Sequence, residues 1–310
     1  MTTTPEPTEE AGTRRPHPAS AAGLVVYLVV VFALAWAIEL GPVRSAGYGP
    51  GRFPAMLWLV VVMFLPSIAA VIARRVERCG FGDAGLRWGR GRYHLAAWLL
   101  PFGVAAVAVG LTIAFGVGRF DPTGSTMLAK LPAEQRAAAE EFTNRWGVWL
   151  PVLAIVSGLT QGIIVTSFAT FGEEFGWRGY LQPRLMHLGP VRSTVLVGVI
   201  WGIWHAPIIV QGHNYPGHPV AGVFLMIAFC VVWSVILGWL FLASRSVLAP
   251  TIAHASINSP AASLGVFVAG ADWAIGNITG VIGITVAGCV ALWLWRTGRL
   301  REPSSGEQAS

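Results

Sequence analysis

Long apolar runs limit the fold of this chain more than any other feature of its sequence. Runs of roughly 20 residues recur along the whole length, and each could cross about 30 Å of hydrocarbon as an α-helix. Of the 310 residues, 54% are hydrophobic and only 12% are charged, unlike the composition of soluble domains. Alternating barrel strands are not visible, so we expect an all-α, polytopic membrane protein.

The runs predict a bundle of about eight transmembrane helices. Their approximate ranges are 22–40, 55–73, 95–117, 148–172, 193–210, 219–242, 247–268 and 276–295. With the N-terminus inside, most arginines fall in cytoplasmic segments, so the positive-inside rule predicts two cytoplasmic termini. We predict a multi-pass plasma-membrane protein whose parts are a disordered cytoplasmic tail (1–20), a transmembrane domain (21–296, motif core 148–260) and a cytoplasmic tail (297–310).

The net charge of +6 comes from basic residues that lie mostly between or beside the apolar runs. This distribution is typical of topology signals rather than of a nucleic-acid-binding surface, so the lipid bilayer is the expected partner and nucleic acid is not. The inner loop, residues 74–94, is expected to lie against anionic headgroups without taking part in chemistry. Cys79, Cys230 and Cys289 are scattered and form neither a disulfide framework nor a CxxC metal motif.

Paired carboxylates stand at the end of the fourth apolar run. Residues 171–181 read FGEEFGWRGYL, which places Glu173 and Glu174 four or five positions before Arg178. A carboxylate at membrane depth costs about 2.5–3.5 kcal/mol on insertion scales, so it is rare without a partner or a function. Glu174 is interpreted as a partner for Arg178 or a support for the site, and Glu173 as the candidate acid or base.

Two later apolar runs carry a histidine each. His205 precedes Pro207 in the segment WGIWHAP, and proline removes a backbone hydrogen bond near that histidine. His254 and Asn258 are four positions apart, so a helix would place them on one face, about one turn from each other. His213 and His218 are interpreted as loop residues, and tryptophans 177, 201 and 204 as packing residues that would also suit an apolar substrate.

These residue types fit a hydrolase. A glutamate in a low-dielectric cavity can act as a general base toward water, and a neighbouring histidine can orient that water or exchange its proton. A second histidine and an asparagine amide can donate hydrogen bonds to an oxyanion. Glu173, His205 and His254 could equally bind one divalent ion such as zinc, leaving an open position for water. The residues alone leave both arrangements open.

Three motifs resemble those of a known family. Residues 173–178 (EEFGWR) resemble the EExxxR motif of the type II CAAX prenyl endopeptidases and their bacterial relatives, the CPBP or Abi family of intramembrane proteases. Residues 201–205 (WGIWH) are similar to the second motif, an aromatic residue followed four positions later by histidine. Residues 254–258 (HASIN) are similar to the third motif, HxxxN. All three occur in the family's order.

The resemblance implies an intramembrane endopeptidase acting on a peptide or protein substrate in or at the membrane. It implies that Glu173 is the general base, that His205 helps to activate water, and that His254 and Asn258 stabilise the oxyanion. Glu174 and Arg178 would support the site. The family has been described both as metalloproteases and as glutamate-based enzymes, so the resemblance leaves the metal open.

Two other functions remain as alternatives. A proton-coupled transporter could use the same glutamate and histidines as a proton relay. A non-catalytic membrane protein of the bacteriocin-immunity or scaffold type would bind a partner through its loops, and substitutions of these residues would leave that binding unchanged.

Overall fold

A computed structural model describes residues 20–49, 52–258 and 262–301 of the chain. The predicted tail 1–20 lies outside these residues except for Ser20, and residues 302–310 of the second predicted tail lie outside them as well. The helices and strands are, in chain order, α1 (Ala21–Ile38), α2 (Phe53–Val76), α3 (Arg92–Ala114), β1 (Arg119–Phe120), α4 (Ser125–Leu128), α5 (Ala133–Trp146), α6 (Leu150–Ser157), α7 (Ile163–Gly176), α8 (Gln182–Leu185), α9 (Pro190–Trp204), α10 (Ala206–Val210), α11 (Pro219–Ser244), α12 (Leu248–Ser256), α13 (Ala262–Val266), β2 (Val268–Ala269) and α14 (Val281–Arg296).

Short segments of other helix types join several of these helices. Three of them are π-helical and two are 3₁₀-helical, and a three-residue α-helical turn, Arg44–Ala46, follows the first π segment. The π segments are Glu39–Val43, Gly158–Gly162 and Trp177–Leu181, and the 3₁₀ segments are Gly147–Trp149 and Met186–Leu188. The strands β1 and β2 form one antiparallel pair.

The prediction of an all-α, polytopic membrane protein is confirmed. Within the described residues, four helices are long and apolar enough to cross a membrane, and the number becomes five if one bent pair is counted as a single span. The four are Ala21–Ala46, Phe53–Val76, Arg92–Ala114 and Pro219–Ser244, and the bent pair is Leu150–Thr160 with Ile163–Leu188. Two shorter apolar helices, α9 and α14, occupy the predicted fifth and eighth spans.

The predicted seventh span, 247–268, is not described as one long helix. It contains the short helices α12 and α13, on either side of residues outside the description, and it ends in the strand β2.

Close packing through glycine brings α7 and α9 against their neighbours. A Cβ atom built on Gly176 would lie 2.4 Å from the Cβ atom of Pro66 in α2. One built on Gly202 would lie 2.5 Å from the Cα atom of Ile227 in α11. Since side chains cannot fit at these contacts, the two glycines allow the helices to approach backbone to backbone. This contact fixes the depth at which the side chains that follow them are held.

The inner loop is a folded structure rather than a plain basic connector. Arg74 is buried, and it donates hydrogen bonds to the Asp83 carboxylate (2.6 Å) and to the carbonyl oxygen of Gly179 (2.6 Å). Arg184 forms ion pairs with Glu77 (2.7 Å) and with Asp83. The acidic residues of the loop are therefore engaged by two buried arginines, and the loop is fixed to the π segment Trp177–Leu181 and to α8.

The same loop also contacts the segment that leads into α12. The backbone N–H of Val247 donates to the carbonyl oxygen of Gly85 (2.9 Å), and that of Arg90 donates to the carbonyl oxygen of Ser244 (3.0 Å). The Arg87 side chain donates to the carbonyl oxygen of Arg245 (2.7 Å). The expectation that this loop only lies against headgroups missed that it joins two separate parts of the bundle.

The inner loop should make the stability of the protein fall in acid. Burial alone would raise the pKa of Asp83, but hydrogen bonds and charge from Arg74 and Arg184 outweigh burial and lower that pKa below its ordinary value. Because the pKa of Asp83 is lower in the folded than in the unfolded protein, its ionised carboxylate stabilises the fold at pH values above the unfolded pKa of about 4. This stabilisation is lost as the pH falls through the folded-state pKa. We expect the thermal unfolding midpoint in detergent to drop as pH falls below about 4.

The substitution Asp83→Asn should lower the stability at neutral pH by about 1–3 kcal/mol, because Arg74 and Arg184 lose a charged acceptor. It should also weaken the acid dependence of the unfolding midpoint. The matched control is Glu134→Gln on the exposed surface of α5, which should change neither quantity. Equal acid dependence in wild type and Asp83→Asn would contradict this account.

Candidate active site

The polar groups predicted from the motifs come from three helices. Glu173 and Glu174 lie near the end of α7, His205 directly follows α9, and His254 lies in α12. Both carboxylates and His254 are buried, although the surrounding helices are largely apolar. Buried groups of this kind need hydrogen-bonding or charged partners inside the protein.

The indole of Trp201 contacts three of the predicted residues. Its Nε1–H donates a hydrogen bond of 2.9 Å to Oε2 of Glu173. Its ring makes edge contacts with the imidazole of His205, at 5.8 Å between centroids, and with that of His254, at 5.1 Å. The structure thus brings Glu173, His205 and His254 around one side chain. The sequence interpretation of Trp201 as a packing residue missed its role as a donor to Glu173.

Glu174 forms a buried cluster with Arg178 and His254. Its Oε1 atom accepts hydrogen bonds from Nη1 of Arg178 and from Nδ1 of His254, both at 2.8 Å. Arg178 and Glu174 are fully buried, and the Arg178 guanidinium also lies over the Trp201 ring at 5.0 Å. The four-residue spacing brings Arg178 back over Glu174 across the junction of α7 with the π segment. A buried carboxylate needs such partners, because an unpaired charge in this setting would be costly.

His205 is oriented by the backbone. Its Nδ1 atom lies 2.9 Å from the carbonyl oxygen of Trp201. A carbonyl oxygen only accepts, so we assign the proton to Nδ1, which leaves Nε2 with a lone pair when the ring is neutral. The ring also makes an edge contact with Trp204 at 4.8 Å. His205 is therefore held in the tautomer that can accept a proton at Nε2.

Asn258 differs from the other predicted site residues because its side chain is exposed. It lies one helical turn beyond His254 at the last described position before residue 262. Spacing alone predicts that Asn258 and His254 share a face, and the role of Asn258 in the site stays a prediction.

The residues do not assemble a metal site in this structure. Across the described ranges, no group of three or more His, Cys, Asp or Glu side chains is arranged to hold a metal ion. Nδ1 of His254 is directed to Glu174 and Nδ1 of His205 to a backbone carbonyl, so only the Nε2 atoms would be available to a metal ion. Since no described group of three such side chains is arranged around one point, the chemistry below is derived from the side chains alone.

Glu39 is a buried carboxyl group that the sequence reasoning missed. It follows α1 in the first π segment, it is only 1% exposed, and its Oε2 atom has no hydrogen-bond partner among the described residues. It lies close enough to Glu173 to interact with it electrostatically. The first helix is fixed to the end of α9 by Trp36, whose Nε1–H donates to the carbonyl oxygen of Trp204 (3.2 Å). A lone acidic residue inside the first apolar run was the available signal.

The loop histidines lie in other contacts. His213 lies 2.5 Å from the hydroxyl of Tyr48, and His218 forms an exposed hydrogen bond with the Asp272 carboxylate at 2.9 Å. A cavity of about 340 Å³ between α5, α6 and the segment before β2 is lined by other residues. Neither the two histidine contacts nor the lining of this cavity includes any of the predicted site residues around Trp201.

A comparison with protein families matches this part of the chain. The model of the family described as "Type II CAAX prenyl endopeptidase Rce1-like" matches residues 140–260. No curated protein matches the sequence. The matched segment contains α7, α9 and α12 and therefore every predicted site residue. The resemblance predicted from the three motifs is confirmed over this segment.

Removing one member of the buried ion cluster should be costly. The substitution Arg178→Met leaves the Glu174 carboxylate with His254 as its remaining partner, and we expect a loss of about 3–5 kcal/mol in the free energy of unfolding. The double variant Arg178→Met/Glu174→Gln should recover part of that loss, because the uncompensated charge is gone. Denaturation in detergent with increasing sodium dodecyl sulfate measures both. A double variant that is as unstable as the sum of its single variants would contradict the charge argument.

Proposed function

We propose that this integral membrane protein, whose residues 140–260 are Rce1-like, is an intramembrane endopeptidase. Its substrate would be a membrane-associated or prenyl-like peptide, and the reaction would be hydrolysis of one peptide bond. The observation that carries the proposal is the shared contact of Glu173, His205 and His254 with the Trp201 indole. A base, a second proton acceptor and an oxyanion donor are thereby close together in a low-dielectric site.

Glu173 is proposed as the base that activates water. Trp201 holds one carboxylate oxygen, Oε2, which leaves Oε1 to accept a proton from a water molecule. His205 would accept a second hydrogen bond from the same water at Nε2, since its Nδ1 is directed to the backbone. The hydroxide oxygen then attacks the carbonyl carbon of the peptide bond, and Glu173 holds the proton that water gave up.

His254 and Asn258 are proposed to stabilise the oxyanion that forms on the carbonyl oxygen. His254 can donate from Nε2 only when that nitrogen carries a proton, and its Nδ1 already donates to Glu174. The proposal therefore takes the ring with both nitrogens protonated when the oxyanion forms. Collapse of the tetrahedral intermediate would transfer the proton from Glu173 to the leaving amine, which balances the proton taken from water.

A second candidate, proton-coupled transport, is favoured by one observation. The buried Glu39 carboxyl adds a proton-binding group near Glu173 on a different helix. A transporter would take up its solute into proteoliposomes under a pH gradient and would lose this uptake in Glu39→Gln. A peptidase would cleave its substrate without a gradient.

The proposal is tested by cleavage of a membrane-tethered peptide library with purified wild type and the single variants Glu173→Gln, His205→Ala and His254→Ala. Each variant should lose about 10²- to 10⁴-fold in kcat/KM, the range contributed by acid–base or oxyanion groups. Glu141→Gln and His187→Ala change exposed residues of the same types and should cleave like wild type.

Thermal unfolding must show that the inactive variants remain folded. Wild-type cleavage that persists in a chelator supports the glutamate mechanism, whereas cleavage that is lost in a chelator and restored by zinc would replace it with a metal-dependent one. Undiminished turnover by folded Glu173→Gln would refute the proposed chemistry.

A further inference from the structure

A shallow groove runs along one face of α2 toward the inner loop. Its volume is about 260 Å³, and its lining residues are Ser67, Ile68, Val71, Ile72 and Arg75. The three- and four-residue spacing of these positions places them on one side of the helix. The groove is apolar along most of its length and ends at an exposed guanidinium. An apolar channel that ends in a cation matches an amphiphile with a hydrocarbon chain and an anionic head.

The helix end supplies a second cation. Arg78 is exposed and lies three residues after Arg75, and its backbone N–H donates to the carbonyl oxygen of Arg75 (3.2 Å). The neighbouring acidic groups do not neutralise this surface, because Glu77 is paired with Arg184 and Asp83 with Arg74. The surface at the end of α2 is consequently basic.

The inner loop also carries exposed apolar side chains of the kind found at membrane interfaces. Trp88 is 67% exposed, Leu86 is 52% exposed and Phe81 is 44% exposed. The loop joins two membrane-spanning helices, α2 and α3, so it lies at a membrane surface whichever way the protein is oriented. Tryptophan with neighbouring arginine is the usual composition for contact with headgroups.

We propose that the end of α2 and the inner loop bind one anionic phospholipid. Its phosphate would be held by Arg75 and Arg78, and one acyl chain would lie in the groove from Ser67 to Ile72. Guanidinium groups suit this role because their planar donors bind phosphate oxygens in pairs. A soluble phosphate would leave the apolar groove unused, whereas a phospholipid uses both the groove and the arginines.

The lipid site adjoins the candidate active site on two sides. Ser67 Oγ, in the groove lining, donates to the carbonyl oxygen of Gly172, the residue before Glu173 (2.5 Å). The inner loop contacts Gly179 after the paired glutamates and Val247 before α12. A lipid held at this position would restrain the loop that joins the segments carrying Glu174 and His254.

The test uses the full chain in nanodiscs made of phosphatidylcholine alone or of an equal mixture of phosphatidylcholine and phosphatidylglycerol. Native mass spectrometry of protein released from the mixture should show phosphatidylglycerol retained in preference to phosphatidylcholine. Each arginine near an anionic surface strengthens binding to anionic lipid about fivefold. Arg75→Gln and Arg78→Gln should therefore each lower the preference for phosphatidylglycerol about fivefold. Hydrogen exchange of residues 77–91 should be slower in the mixture for wild type only.

Two control variants separate a specific site from general charge. Arg75→Lys/Arg78→Lys keeps both charges and should keep most of the preference. Arg119→Gln/Arg145→Gln removes two exposed arginines, one in β1 and one in α5, which follow the other end of α3, and should keep all of the preference. Equal retention of the two lipids by wild type, or an unchanged preference in Arg75→Gln/Arg78→Gln, would overturn the proposal.

A peptidase assay in the two kinds of nanodisc adds a readout that rests on the proposed function. Faster cleavage in the anionic nanodiscs by wild type, but not by Arg75→Gln/Arg78→Gln, would support coupling between the lipid and the active site. Binding is measured without any substrate, so failure of the peptidase proposal leaves the lipid result standing. A prenylated peptide that displaces phosphatidylglycerol from the groove would instead assign the groove to substrate and overturn the lipid proposal.

Discussion

The buried charge of Glu174 is the constraint on which the rest of this structure depends. The guanidinium of Arg178 and the imidazole of His254 each meet one of its oxygens at 2.8 Å, and Arg178 also lies over Trp201. A buried ion pair gives little net stability, because desolvation offsets much of the attraction, but losing one partner is costly. The cluster therefore links α7 to α12, since another register of the two helices would separate the carboxylate from the imidazole and leave a buried charge without this partner.

Much of this arrangement could be predicted from sequence because membrane-depth charges are few. Five charged or polar residues stood out in apolar runs, and the structure gathers them around Trp201 and Glu174. They are Glu173, Glu174, Arg178, His205 and His254.

Trp201 was interpreted from the sequence as a packing residue, because hydropathy describes its ring but not the direction of its N–H. The role of the inner loop was missed because Arg74 looks like any topology-setting arginine until Asp83 and Gly179 are found beside it.

Backbone irregularity and close packing determine where the polar groups are held. The first π segment contains Glu39, and another follows directly after α7, where Arg178 returns to Glu174. A π turn inside or beside an α-helix changes the direction of the side chains that follow, and such turns are frequent at functional sites. Gly176 allows α7 to touch the backbone of α2 just before that turn. Composition alone cannot predict these features, because each depends on the distance between two helices.

The two neighbouring glutamates illustrate how packing can divide one sequence motif into two roles. Glu174 is held by the Arg178 guanidinium and the His254 imidazole, whereas the hydrogen bond found on Glu173 comes from the neutral indole of Trp201. Environments of this kind separate a carboxylate that maintains charge from one that can exchange a proton, as acid–base sites require. The histidines follow the same logic, because a backbone carbonyl orients His205 and a carboxylate orients His254. The backbone carbonyl leaves Nε2 of His205 as an acceptor, whereas the Glu174 carboxylate takes the Nδ1 hydrogen of His254. The role of each side chain in the proposed hydrolysis is thus set by its second partner.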